Sequence, residues 1–161
     1  MAIEAETTHQ ALRKIIQAFD HVHSSGLIRV RSGIDLERSL HQIVFLLGER
    51  GQMRISDLAD ALALTSPTIS RHVAKLIQAG VVERSDDSTD GRASIAQLSP
   101  HGQDVHADLK NTWNALFADA LLGLDAEATP FAALLTAFAD HLVEVSRQPV
   151  TVSSGLPVRT S

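Results

Sequence analysis

Apolar residues recur along most of the chain at three- and four-residue intervals, the spacing that gathers them on one face of an α-helix. Leu12, Ile15, Ile16, Phe19 and Val22 form the first such stripe, and Ser24-Ser25-Gly26 closes it. Leu36, Leu40, Ile43, Val44 and Leu47 predict a second helix that starts near Asp35, an acceptable N-cap, with Gly48 and Gly51 bracketing its end. A short helix capped by Ser56 is expected over Ile55–Leu62, then a turn at Ala63–Thr65. The next helix has the clearest punctuation: Ser66 as N-cap, Pro67 at the first helical position and Gly80 as the stop. Its expected buried stripe is Ile69, Val73, Leu76 and Ile77.

The pattern changes at Val81. Val81–Arg84 predicts a short strand, the Asp-, Ser- and Gly-rich Ser85–Gly91 a sharp turn, and Ala93–Leu98 the returning strand of a hairpin. Ser99-Pro100 repeats the cap-then-proline device and opens a long helix with Val105, Leu109, Trp113, Leu116, Phe117, Ala120 and Leu121 facing inward. A last helix, starting near Asp125 or Thr129-Pro130, is expected to bury Phe131, Leu134, Leu135, Phe138, Leu142 and Val145. Residues 148–161 have no helical period and are expected to form a disordered tail.

Composition narrows the function classes. Of 161 residues, 44 % are hydrophobic and 20 % charged, a globular balance. Aromatics are only 4 %, so aliphatic side chains must fill the core, which favours helices packed on helices. The absence of Cys excludes disulfides, thiolate metal sites and thiol redox sensing. Met1–Gln10 carries Glu4 and Glu6 and lacks a signal-peptide core, and no apolar run reaches membrane-spanning length. A soluble, cytoplasmic protein without membrane partners is therefore expected.

The formal charge of −5 argues at first against a nucleic-acid partner. Its distribution reverses that. Residues 50–100 hold six basic and six acidic residues, so the whole negative excess lies outside them. A locally neutral or basic surface can attract phosphate while the remainder repels it and orients docking.

A short helix, a tight turn and a capped helix form a helix-turn-helix, whose second helix enters the major groove N-terminus first. The segment Ser66-Pro67-Thr68-Ile69-Ser70-Arg71-His72 suits that entry. Ile69 anchors it from behind, hydroxyls can donate to phosphates or base edges, and Arg can grip guanine O6 and N7. The first-turn backbone amides are ready phosphate ligands. The competing reading is a solvated, capped helix on which Arg71 and Lys75 are surface charges. In the hairpin, Arg92 lies just past the tip, where an Arg can enter a narrow minor groove, and Asp90 can pre-order its guanidinium. A polar turn is the alternative there.

Ile55 to Gly102 resembles the winged helix-turn-helix of the MarR family of bacterial transcriptional regulators. The resemblance is carried by Ile55-Ser56-Asp57-Leu58-Ala59, Ser66 to Arg71, Gly80 to Arg84, Asp90-Gly91-Arg92 and Leu98 to Gly102. It implies a mainly α fold with a small two-stranded β wing and dimerisation helices from both termini. The expected divisions are 1–34 (dimerisation helix and linker), 35–100 (DNA-binding domain), 101–147 (dimerisation helices) and 148–161 (tail). Thr68, Ser70 and Arg71 would read the major groove and Arg92 the minor groove. Ser66, Pro67, Lys75, Arg84, Asp90 and Gly91 complete the candidate contact set. The partners implied are a pseudo-palindromic DNA operator and a second copy of the chain. The family often releases DNA when a small aromatic or phenolic acid binds between dimer helices and winged domain. His41, Phe45, Trp113 and Phe117 could wall such a pocket or simply be core.

Other chemistry finds less support. His41, His101 and His106 with Glu37 or Asp104 could in principle bind zinc, but His101 and His106 are five apart, off the one-face helical spacing, and no metal site or cofactor is expected. No nucleophile elbow, phosphate loop or His-Glu-x-x-His helix is present, so an enzyme is not expected. The rival function is a winged helix used only for protein contacts, for which the acidic net charge is the best argument.

Overall fold

In a computed structural model, residues 2–86, 94–123 and 127–147 are described. They divide into two compact units, one running to Phe117 and one starting at Ala118. The elements in chain order are α1 (Ala2–Ser24), α2 (Leu27–Ser32), α3 (Arg38–Arg50), β1 (Met53–Arg54), α4 (Ile55–Ala61), α5 (Ser66–Gln78), β2 (Val82–Asp86), β3 (Ser94–Leu98), α6 (Pro100–Leu121) and α7 (Ala128–Ser146). Mainly helical with a small sheet, the fold is that of a winged helix with added helices.

The core of the first unit is aliphatic. Leu40, Ile43, Val44 and Leu47 of α3 meet Leu58 of α4, Ile69, Val73 and Leu76 of α5, and Val105 and Leu109 of α6, all at most 5 % exposed. The sheet is antiparallel in the order β1-β3-β2, with Met53 opposite Ala96 and Val82 opposite Leu98. The wing expected to be two-stranded thus gains a third, two-residue strand. Ala96 is its fully buried centre.

The junction from α5 to β2 follows from local chemistry. Gly80 takes φ +70°, a left-handed conformation that costs a glycine little. Val81 N–H then donates to the Leu76 carbonyl (2.9 Å) and Gly80 N–H to that of Ile77 (2.9 Å), the paired bonds of a Schellman stop. Ser99 performs the matching start. Its Oγ accepts from Gly102 N–H at 2.9 Å and donates to the Gly80 carbonyl at 2.6 Å, tying the first turn of α6 to the end of α5. At Gly102 a Cβ would lie 1.9 Å from the Val81 carbonyl oxygen, so only glycine admits this approach.

Several boundaries differ from expectation. α3 is capped by Glu37 rather than Asp35, α4 by Arg54 rather than Ser56, and α5 by Thr65 rather than Ser66. Pro67 therefore sits at the second helical position, where its missing N–H is equally harmless. α4 stops at Ala61, and the short α2 was not anticipated. Ile77 is 39 % exposed instead of buried, because α5 turns only Ile69, Val73 and Leu76 fully inward. On α6, Phe117 and Ala120 are likewise exposed.

The largest departure is α7, none of whose residues is buried. Phe131, Leu134, Leu135, Phe138, Leu142 and Val145, expected as core, are 39–71 % exposed. Their spacing makes one apolar stripe, which the chain leaves open. Among the described residues no helix is long and apolar enough to cross a membrane.

Candidate nucleic-acid interface and adjoining cavity

α5 presents two faces of opposite chemistry. Ile69, Val73 and Leu76 lock one against α3 and α4, while Ser66, Pro67, Ser70 and Arg71 are exposed on the other. Thr68 is half-buried, its Oγ1 2.9 Å from that of Thr65, so one hydroxyl pair braces the helix entrance. Lys75 is exposed but engaged: its Nζ donates to Glu37 Oε1 at 2.6 Å, bridging α5 to the N-cap of α3. Glu37 has its pKa lowered by that hydrogen bond, then by the Lys75 charge, with a smaller contribution from His72.

At the base of the hairpin, Arg84 Nη2 donates to Ser94 Oγ at 2.5 Å, joining β2 to β3. Asp90, Gly91 and Arg92 lie outside the described residues, as do residues 148–161.

Beside this interface, a cavity of about 340 Å³ opens between α1, α3 and α6. His41 and Phe45 of α3 line it together with Trp113 and Phe117 of α6, so the four residues singled out from the sequence do converge. α1 adds Phe19 and His23, and α3 adds Arg38 and Gln42. These four were missed. Their signal was face spacing: Phe19 and His23 are four apart on α1, and Arg38, His41, Gln42 and Phe45 follow the three-four rhythm of one helix face. Phe19 and Trp113 stack at 5.6 Å between centroids, and Arg38 pairs with Asp20 of α1.

The histidines weighed as zinc ligands go to separate places. His41 faces the cavity, His106 packs edge-on to Phe45 and against Gly48, and His101 lies beside Ala79 and Val81. Among the described residues, no group of three or more metal-ligating side chains comes together.

Comparison with known proteins agrees with this architecture. Residues 36–94 match the MarR family model. The chain is 32 % identical over 71 residues to the uncharacterized HTH-type transcriptional regulator YxaD of Bacillus subtilis (strain 168), covering 44 % of this chain and 50 % of that protein. It is 41 % identical over 59 residues to the arsenical resistance operon repressor of Escherichia coli (strain K12), covering 37 % and 48 %. The chain thus spans about half the length of the curated relatives it matches. Among solved structures, a MarR family transcription regulator superposes with TM-score 0.73 at 18 % identity, covering 92 % of this chain and 99 % of that one. Streptococcus pneumoniae FabT, solved in complex with DNA, gives 0.72 at 18 %, covering 86 % and 99 %. The PcaV regulator of Streptomyces coelicolor, solved with its natural ligand, gives 0.61 at 21 %, covering 81 % and 89 %. Identities this low establish a shared fold alone. Residues 36–94 therefore match the MarR family model, and they do so on the winged helix-turn-helix fold of MarR family transcription regulators.

Proposed function

We propose that the chain is a sequence-specific, double-stranded DNA-binding repressor that acts as a homodimer and is relieved by a small aromatic or phenolic acid. The observation that carries this reading is the two-faced α5. Its exposed Ser66, Pro67, Ser70 and Arg71 are held outward by a fully buried aliphatic stripe, with the β2–β3 hairpin alongside. In this reading Thr68, Ser70 and Arg71 meet base edges, the first-turn amides meet phosphate, and Arg92 reaches the minor groove. The open apolar stripe of α7 supports dimerisation through a second copy. Two recognition helices related by a two-fold axis call for a pseudo-palindromic operator with half-sites about one DNA turn apart. The cavity of α1, α3 and α6 supports a ligand-responsive regulator, and the FabT and PcaV structures supply precedents for DNA and ligand on this fold.

The test is footprinting of the chain on its own upstream DNA with a salt titration. A protected pseudo-palindrome whose affinity falls steeply with salt is expected. A folded dimer that binds no DNA at low salt, with or without aromatic acids, would overturn the proposal and favour a protein-binding winged helix.

A further inference from the structure

The cavity beside the recognition module is divided by chemistry. One wall is aromatic: Trp113 lies 5.6 Å from Phe19 and 5.7 Å from Phe117, centroid to centroid. The polar lining is Arg38, Gln42, His23 and His41, and none of the described lining residues is a carboxylate. Arg38 is already neutralised by Asp20 of α1. The two imidazoles are the groups left to adjust their charge to a guest.

Their surroundings differ. His23 Nδ1 lies 2.9 Å from the Phe19 carbonyl oxygen, which can only accept, so Nδ1 carries a hydrogen and Nε2 holds the lone pair of the neutral ring. The same ring sits 5.2 Å from Trp113, whose π-face favours a cation. His41, its centroid 5.9 Å from that of His23, is 6 % exposed, and neither ring nitrogen finds a hydrogen-bond partner of normal geometry. Burial, then the charge of His23, hold its pKa below the ordinary value, while the Leu36 backbone acts the other way to a lesser degree. The two rings lie close enough that the charge of one adds to burial in keeping His41 neutral in the empty site.

We propose that this cavity takes a planar aromatic acid as its anion together with one proton, the guest carboxylate pairing with the imidazolium that forms on the His23–His41 pair. The inference rests on the ligand-responsive reading above and adds to it a proton linkage. The proton comes from solvent and settles on a ring nitrogen of the pair. No covalent bond to the guest is made. A desolvated imidazole without a partner is costly in the empty site. A carboxylate supplies the missing acceptor, and its charge favours the protonated ring. Guest and proton therefore bind cooperatively, each tightening the other by the same factor. Where uptake is complete, affinity for the anion should rise about ten-fold for each pH unit lowered. A neutral guest of the same shape gains nothing from this.

The experiment is calorimetric titration of the full chain with benzoate and with benzamide at pH 7.5, each in phosphate and in Tris, whose different ionisation heats count the protons exchanged. Benzoate should bind with net proton uptake and tighten as pH falls from 8 to 6, by at most about ten-fold per pH unit. Benzamide should bind with no uptake and little pH dependence. Trp113, the single tryptophan, gives a second readout because a neighbouring imidazolium quenches its fluorescence. The pH midpoint of that quenching should move upward with benzoate and stay in place with benzamide. The double variant His23→Asn/His41→Asn should abolish uptake. Benzoate binding without proton uptake by the native chain would overturn the linkage and leave the ligand-responsive reading intact. Failure of both probes to bind would remove that reading and the linkage with it.

Discussion

Arg71 lies two residues past the buried Ile69 and two before the buried Val73, so the geometry of α5 turns its guanidinium to the open side. A bidentate grip on guanine from that position predicts a specific loss. Arg71→Ala should cost about 1–3 kcal/mol on the operator and flatten the preference at one base pair. Binding curves on the operator and on single-base variants check this. Uniform weakening across sequences would make Arg71 a phosphate contact instead. His41 gives a stability prediction with a fixed sign. Its folded-state pKa is lowered by burial first, so the unfolded chain binds more protons around and below pH 6.5, its ordinary value. Stability contributed by the neutral ring is complete above that pH and is lost as pH falls toward the depressed folded value. The melting temperature should therefore drop from pH 7.5 to pH 5.5. His41→Leu, which cannot titrate, should reduce the drop, and an unchanged pH profile would show that other groups govern it.

At the scale of elements, the Glu37–Lys75 pair is the polar link between α3, which carries half of the cavity lining, and α5, which carries the proposed DNA contacts. Both side chains are largely exposed, so the pair adds little to global stability. Its expected effect is positional. Glu37→Gln and Lys75→Met should each weaken operator binding by about two- to five-fold, and the double variant no further, the pattern of one shared interaction. The salt dependence should stay the same. A slope reduced by about one in Lys75→Met would identify Lys75 as a phosphate contact. This pairing was invisible in the sequence because thirty-eight positions separate the partners. The strand β1 was invisible for the same reason, since two residues have no period and exist as a strand only through Ala96 and Ile95. What could be read was local: the Gly80 stop and the bond from Gly102 N–H to Ser99 Oγ act within a few residues and stand where the pattern put them. The caps of α3, α4 and α5 slipped by one or two residues; at α5 Thr65 and Ser66 were comparable caps, whereas α4 starts after Arg54, which makes no side-chain cap bond. At the cavity, the family resemblance singled out His41, Phe45, Trp113 and Phe117, but gave no reason to bring in α1, whose Phe19 belongs to an apolar stripe that reads equally well as core.

For the whole molecule, periodicity reveals that a face is apolar and is silent on what covers it. α7 illustrates this, because six side chains assigned to a core by their spacing remain 39–71 % exposed in the single chain. Completing the burial of one half-exposed Leu or Phe is worth roughly 1 kcal/mol, so the stripe offers several kcal/mol per protomer against the entropic cost of association. A second copy is the economical partner, since a two-fold axis brings the same stripe to both sides of one interface. The symmetry also doubles any defect. Phe138→Asp would place two carboxylates in the shared interface, each desolvated without a partner. The dimer should weaken by about a hundred-fold or more, read as a shift to monomer in sedimentation at micromolar concentration. The first unit keeps its own buried core, so its helical signal should persist and separate dissociation from unfolding. Operator affinity should fall with the loss of dimer, because a single recognition helix spans only one half-site. A Phe138→Asp protein that stays dimeric would move the interface away from α7, and one that turns monomeric yet binds the full operator unchanged would remove the two-fold reading of DNA.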